Sequence, residues 1–276
     1  MDPEVLRDDM VDGLEHTLGR PLPEPIGVAM REVPRRVFVD RPYDNRPSRV
    51  DGTIALAPGT VARLVTALDP RPDSAEEALV VGAGVGYTAA VLADILGGHR
   101  VHAVDISRKM VYTARSNLDE AGYGKVLVDC REGSNGLPEY APFDRILVEA
   151  GVVEPPTSLL EQLGEGGRLV FPRGNTDQTL VAVTPDEDAS HGYRVVDERG
   201  PVRFAPLLVE GEQPGVTRNR TVREDREHAE RSRARSPGWE HEWLDWDERL
   251  SGRDRGANEP ERYSDRSDRS DEDRRR

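Results

Sequence analysis

From residue 77 to residue 174 short apolar runs alternate with amphipathic stretches, the pattern of a parallel sheet whose strands are joined by helices. Strands are predicted at EALVVG (77–82), RVHAVDI (100–106), KVLVDC (125–130), FDRILVEAG (143–151) and GRLVFPRG (167–174). Helices are predicted at GYTAAVLADILGG (86–98), SRKMVYTARSNLDEAG (107–122) and PPTSLLEQLGEG (155–166). TLVAVTP (179–185), GYRVVDE (192–198) and VRFAPLL (202–208) follow without a helical period between them, so they are expected to close the sheet as antiparallel strands. The expected fold class is α/β, with a doubly wound, mostly parallel sheet and antiparallel closing strands.

Ahead of this repeat, PEVLRDDMVDGLEHTL (3–18) and EPIGVAMREV (24–33) carry helical spacing, and PRRVFVDRPYDNRPSRV (34–50) reads as extended and turn-rich. In GTIALAPGTVA (52–62), Pro58 and Gly59 interrupt an otherwise apolar, helix-like approach, which raises the question of a substrate loop against a plain packing turn. From Thr217 onward Arg, Asp, Glu and Ser dominate, and such a composition buries too little apolar surface to offset ordering entropy. A mostly disordered tail is expected there. Within it Trp239, Trp243, Trp246 and Leu250 share one helical face, which predicts a short helix over 238–250 that docks on the domain or on a partner.

Charge and cysteine content narrow the class. There are 52 acidic against 38 basic residues, a net charge of −14, and the only lysines are Lys109 and Lys125. Such a surface repels nucleic acid and anionic membranes, and its acidic, lysine-poor character suits concentrated salt, a halophilic expectation. Cys130 is the single cysteine, so no intrachain disulfide can form and a reducing compartment is compatible. It reads as a small core residue. No basic segment followed by an apolar one opens the chain, and the longest uncharged run, residues 78–93, falls short of the roughly 20 residues that span a bilayer. A cytoplasmic location without membrane attachment is expected, and oligomeric state is left open, a monomer being compatible.

The chemistry concentrates in VVGAGVGYTAAV (80–91), which puts Gly82, Gly84 and Gly86 between a strand and a helix. Glycines permit positive φ and close ligand approach, and a new helix offers unpaired N–H groups. Asp105 ends the next strand, nineteen residues past Gly86, where a carboxylate accepts from both hydroxyls of a ribose. The spacing is G-x-G-x-G rather than the dinucleotide G-x-G-x-x-G, and Glu132 in CREGSNGLP reaches the exocyclic amine of an adenine. S-adenosyl-L-methionine, one nucleoside with a charged tail, suits this geometry better than NAD. No His, Cys or carboxylate cluster has metal-ligand spacing, so no metal is expected.

ALVVGAGVGYTAAVLADILG, EGSNGLPEYAPFDRILVEAG, PPTSLLEQLGEGGRLVFPRG and the closing VRFAPLL resemble protein-L-isoaspartate O-methyltransferases, and VPRRVFVDRPYDNRP resembles the stretch before that family's catalytic loop. The resemblance runs from about residue 5 to about residue 212. It implies a Rossmann-like class I methyltransferase, S-adenosylmethionine as donor, and a protein or peptide bearing isoaspartyl residues as acceptor. By motif position, Gly82, Ala83, Gly84 and Gly86 would line the methionine and ribose part, Asp105 would hold the ribose, Glu132 with Gly133 would sit at the adenine, and Ile106 would belong to the same cofactor site. The implied organisation is a helical cap and substrate loop over 1–60, a methyltransferase core over 61–212 and a charged tail over 213–276.

Two departures from the family bear on the acceptor. Its loop typically reads G-Q-T-I-S-A-P-H, whereas GTIALAPGT places Leu56 or Ala55 at the serine and Gly59 at the histidine. An isoaspartyl carboxylate with a pKa near 4 is already ionised, and methyl transfer from a sulfonium is an in-line displacement, so the lost hydroxyl costs positioning rather than activation. Where relatives commonly carry a small or hydroxyl residue after the fourth strand, this chain has Glu149. If ionised beside the methyl group, Glu149 disfavours a carboxylate acceptor and favours a cationic or neutral one. If it points aside, it pairs with Arg145 or Arg173, or caps the next helix near Thr157. The candidate catalytic residues are Thr53 and Glu149; Asp144 and His102 read as structural. Isoaspartyl methyl transfer is the leading reading, and the alternatives are a diverged acceptor or a non-catalytic module that binds S-adenosylmethionine.

Overall fold

The computed structural model describes residues 2–72, 74–174, 177–209 and 220–221. The proposed tail helix over 238–250 lies outside them. Two N-terminal helices, α1 (Pro3–Leu18) and α2 (Glu24–Glu32), lead through a 3₁₀ turn at Arg35–Val37 into a hairpin, β1 (Ser48–Val50) and β2 (Thr53–Ala55), and then α3 (Pro58–Leu68). The alternating region follows as β3 (Ala78–Val81), α4 (Tyr87–Leu96), β4 (Val101–Asp105), α5 (Arg108–Glu120), β5 (Leu127–Cys130), β6 (Phe143–Val148), α6 (Thr157–Glu161), β7 (Leu163–Gly174), β8 (Gln178–Pro185) and β9 (Tyr193–Val202). Seven of these strands form one sheet in the order β5-β4-β3-β6-β7-β8-β9. The first five are parallel, and β8 pairs antiparallel with both β7 and β9.

Sequence periodicity accounts for the layers. Along β3 every residue is buried, but successive side chains alternate between faces: Ala78 and Val80 join the cluster with α1 to α5, while Leu79 and Val81 join Ile146, Val148, Leu159 and Leu169 on the other side. The N-terminal helices share the first cluster, with Met10, Val11, Leu14, Ile26 and Met30 packed among Val61, Leu64, Val91 and Leu92. Two helices start on a side-chain cap. Asp2 accepts from Glu4 N at α1, and Ser107 accepts from Met110 N at α5.

Three local expectations are corrected. PPTSLLEQLGEG makes only the five-residue α6 before β7 begins at Leu163, because Phe143 N takes the Gln162 carbonyl and pulls the segment into the sheet. VRFAPLL is not a strand of the main sheet: after β9 it crosses to the end of β6, where Gly151 N donates to the Ala205 carbonyl and Leu207 N to the Gly151 carbonyl. Leu208–Val209 (β10) pairs instead, in parallel, with Arg220–Thr221 (β11). Cys130 is exposed rather than in the core, since it ends the edge strand β5.

A buried ion pair anchors the amino end of β6. Arg145 Nη2 donates to Glu76 Oε1 at 2.6 Å, with side chains 6% and 10% exposed, and Arg145 also donates to the carbonyls of Asp69 and Asp144. Asp144 accepts from Glu77 N at 2.8 Å, the structural role expected of it. His102 lies between Tyr140 and Phe143 with Nε2 3.2 Å from Glu77, also structural. Among the described residues no helix is long and apolar enough to cross a membrane. Removing Glu76 strands the Arg145 charge in a dry environment, so Glu76→Ala is expected to lower stability by about 3 kcal/mol. A urea unfolding midpoint that drops accordingly at constant slope checks this.

Candidate active site

The strand order reverses between β3 and β6, and in open α/β sheets the crevice beyond such a point receives ligands. Both strands end in register, Val81 beside Val148, and Glu149 N donates to the Val81 carbonyl at 2.8 Å. The chain therefore leaves the sheet at one place twice, into the glycine loop and into Glu149. Gly82, Gly84 and Gly86 take φ of 95°, 51° and 93°, values that an L side chain strains to adopt. Gly82 N and Ala83 N donate to the Val104 carbonyl, which ties the loop to β4, and Gly86 caps α4. A Cβ built on Gly84 meets nothing nearer than the Gly82 carbonyl oxygen at 3.9 Å, so the backbone is open to close approach.

Asp105 lies within hydrogen-bond reach of this loop. Its Oδ2 accepts from Gly84 N at 2.9 Å and its Oδ1 from Ser107 N at 2.8 Å. Burial raises its pKa, and the two N–H groups oppose the rise. Ile106 follows at the strand end, its carbonyl 3.9 Å from Cys130 Sγ. After β5 the chain folds back, with Glu132 accepting from the Ser134 hydroxyl. Gly133 presses so closely on β3 that a Cβ there would sit 2.4 Å from Val81 Cγ1. Gly82, Ala83, Gly84, Gly86, Asp105, Ile106, Glu132 and Gly133 thus all lie at or just past the carboxyl ends of β3, β4 and β5. The open backbone at Gly84, beside a carboxylate with lone pairs to spare, fits a nucleoside whose ribose faces Asp105.

A small pocket, partly open to solvent, continues from Ala83 and Gly84 along Val85, Tyr87 and Thr88 at the start of α4 to Glu149, and is closed by Arg35, Ile54, Ala55, Leu56 and Val61. Of the two candidate catalytic residues, Glu149 lines it and Thr53 does not: Thr53 pairs with Val50 at the closed end of the hairpin, one residue before the lining begins. Pro58 does not interrupt a helix but starts α3, at a position where its missing N–H costs nothing, and Gly59 N is satisfied by Asn45 Oδ1 at 2.9 Å. Residues 52–62 are thus half hairpin and half helix start, and residues 54–56 between them face the crevice.

The expected partners of Glu149 are engaged elsewhere. Arg145 pairs with Glu76, Arg173 pairs with Glu198, and α6 has no side-chain cap. Glu149 takes a hydrogen bond from Thr88, while its Oε1 is shut off from solvent without a partner. Burial is the dominant effect on this carboxyl, ahead of the Thr88 bond that opposes it and the Asp105 charge that adds to it, and its pKa is pushed up to about 7. The ionised glutamate of the sequence reading therefore shares the site with its neutral form near neutral pH.

Sequence reasoning did not single out Arg35, Tyr87 and Thr88. Arg35 is 1% exposed, donates from Nη2 to the Leu56 carbonyl at 2.6 Å and lies 4.3 Å over the Tyr87 ring, which Phe38 meets edge-on at 5.5 Å. Arg35 Nε is buried without a hydrogen-bond partner, and the Tyr87 hydroxyl is buried beside the guanidinium. The available signal was an arginine set between apolar Val33 and Val37 in a segment read as extended.

Because the native state keeps the Glu149 proton up to about pH 7 while an unfolded glutamate loses it near 4.5, the native state binds more protons between those values and stability falls as pH rises through them. Glu149→Gln is expected to remove that slope, gaining up to about 3 kcal/mol on wild type between pH 5 and pH 8. Paired urea unfolding curves at the two pH values measure it, and parallel pH dependences of wild type and variant would refute it.

The model of the protein-L-isoaspartate(D-aspartate) O-methyltransferase family matches residues 15–213. The chain is 42% identical over 194 residues to the protein-L-isoaspartate O-methyltransferase of Aeropyrum pernix, covering 66% of this chain and 72% of that one. To the enzyme of that name from Methanosarcina mazei it is 37% identical over 214 residues, covering 74% and 84%. Among solved structures, a protein-L-isoaspartate O-methyltransferase superposes with a TM-score of 0.63 at 25% identity, covering 74% of this chain and 66% of that one. A putative member from Plasmodium falciparum, in complex with S-adenosyl-L-homocysteine, also gives 0.63, at 22% identity with coverage of 73% and 97%. With the glycine loop, Asp105 and the crevice all inside the matched span, the chain belongs to the protein-L-isoaspartate(D-aspartate) O-methyltransferase family.

Proposed function

We propose that the chain transfers the methyl group of S-adenosylmethionine to the carboxylate of L-isoaspartyl residues in damaged proteins or peptides. The observation that carries the reading is family membership across residues 15–213, a span that includes the whole crevice. When bound, the donor supplies an electrophilic methyl on a sulfonium. The chain's own residues then have three tasks: to hold the nucleoside, to orient the acceptor carboxylate in line, and to keep water out.

Holding falls to Asp105, whose remaining lone pairs accept from ribose hydroxyls, to the backbone of Gly82, Ala83, Gly84 and Gly86, and to Ile106, Glu132 and Gly133 around the base. Exclusion of water falls to Ile54, Ala55, Leu56 and Val61, the apolar wall facing the glycine loop. No general base is needed, because the acceptor is already an anion at neutral pH. Thr53 contributes by fixing the hairpin that carries this wall. Glu149 sits at the wall's far side and, in its neutral form, admits a second carboxyl group without like-charge repulsion. Burial therefore supports the isoaspartyl acceptor over the cationic one. The acidic, lysine-poor surface supports work in concentrated salt and at a distance from nucleic acid.

Transfer of labelled methyl to an isoaspartyl peptide, with the normal aspartyl peptide as control and with KCl from low to multimolar, tests the assignment; equal labelling of both peptides would sink it. The Glu149 proton sets a sign for the pH profile: kcat/KM for the isoaspartyl peptide is expected to fall as pH rises past about 7, and Glu149→Gln to flatten that fall. Asp105→Ala removes the ribose acceptor and should weaken S-adenosylhomocysteine binding by about tenfold or more in calorimetry, with the far-ultraviolet spectrum unchanged.

A further inference from the structure

Arg35 lines the pocket as a buried guanidinium with no carboxylate partner among the described residues. It is 1% exposed, its Nε has no partner, and the groups it meets, the Leu56 carbonyl and Tyr87, carry no counter-charge. Three other arginines of the fold are engaged with a carboxylate or with two carbonyls. Arg145 meets Glu76, Arg173 meets Glu198, and Arg63 spans the carbonyls of Arg199 and Pro201. A guanidinium out of water without a counter-charge is costly, so a chain that keeps one at the wall of a ligand crevice is prepared for an anion that arrives with the ligand.

We propose that Arg35 is the receptor for the carboxylate of the methyl acceptor, held in the pocket between the 54–56 wall and the glycine loop. The inference rests on the isoaspartyl reading above and adds the residue that recognises the acceptor. Orientation supports it. Nη2 is tied to the Leu56 carbonyl and the guanidinium face lies on Tyr87, so the fork is set on two sides and only its remaining edge can turn to a ligand. The Tyr87 hydroxyl, buried beside the guanidinium, supplies a second donor on the same pocket. The wall of Ile54, Ala55 and Leu56 offers no polar side chain, which leaves carboxylate recognition to a group outside the loop. At the opposite end Glu149, with Asp105 beyond the lining, is anionic or neutral, so among the residues that line the pocket Arg35 alone is cationic.

A carboxylate can reach this pocket from the acceptor or from the amino-acid end of the donor, and deleting the charge on each ligand in turn separates the two. Binding of an isoaspartyl peptide and of its carboxamide analogue is measured calorimetrically on the full chain with S-adenosylhomocysteine present. Binding of S-adenosylhomocysteine is then compared with that of its decarboxylated thioether. The wild type is expected to prefer the carboxylate peptide, and Arg35→Gln to reduce that preference by about tenfold or more, since a charged hydrogen bond is lost, with the donor pair discriminated as before. Arg35→Lys, which keeps the charge and loses the fork, should fall between, and provides the reading if the glutamine variant does not fold.

Loss of discrimination in the donor pair alone would assign Arg35 to the donor and overturn the proposal. Unchanged discrimination in both pairs would make Arg35 a packing residue on Tyr87, with the same consequence. A wild type that neither labels nor binds the isoaspartyl peptide sinks the acceptor assignment together with this inference. Labelling by the wild type with unchanged peptide discrimination in the Arg35 variants sinks the inference alone.

Discussion

The parallel register of β3 and β6 governs everything at the site. Val81 lies beside Val148, and the next residue of each strand steps out of the sheet at the same level: Gly82 into the glycine loop, Glu149 into the crevice. Two backbone bonds hold this point, Glu149 N to the Val81 carbonyl and Gly82 N to the Val104 carbonyl, so the ends of three strands are locked together. From there the geometry is forced. Positive φ at alternate glycines turns the chain into α4, whose first residues, Tyr87 and Thr88, meet Arg35 and Glu149 respectively. A shift of one residue in that pairing would turn the side chains of β3 to opposite faces and dissolve both the core and the site.

Desolvation then decides the electrostatics. In water Glu149 would be ionised at neutral pH and Arg35 would be one more solvated cation. Enclosure raises the Glu149 pKa because the charged form loses more hydration than one Thr88 hydrogen bond returns, and it leaves Arg35 with its charge because guanidinium does not give up its proton. The pocket thus keeps a fixed positive side and a titratable side. Where the family loop carries hydroxyl and imidazole groups, this chain presents an apolar wall, and the polar groups of the pocket come from the segments that precede and follow the loop in the fold.

The N-terminal segment belongs to this arrangement rather than standing apart from it. α1 packs on α2 and α2 on α4, and their apolar faces share the cluster under β3 and β4. That packing carries the chain to Arg35 at the level of the glycine loop, and Asn45 holds the first turn of α3 from outside. On the other face the layer is thin. The short α6 and the strap that contributes Leu207 cover Val81, Val104 and Phe171, with the strap bonded to Gly151 just past Glu149.

The sheet, its parallel character, the glycine loop and Asp105 were legible in the sequence because each follows from local rules: apolar runs of strand length, glycines where φ must be positive, and a carboxylate at a strand end. Boundaries set by pairing were not. Gln162 belongs to the approach to a strand and not to a long helix because its carbonyl meets Phe143, and VRFAPLL crosses to Gly151 instead of joining the sheet because both partners are far away in sequence. Pro58 read as a break and proved to be a start, since a proline carries either meaning until the preceding residues are placed. Glu149 could be named but not assigned a protonation state, and Arg35 could not be named at all. Burial and the absence of a counter-charge are properties of what surrounds a side chain, and only the folded chain brings residues 35, 56, 87 and 149 into one pocket.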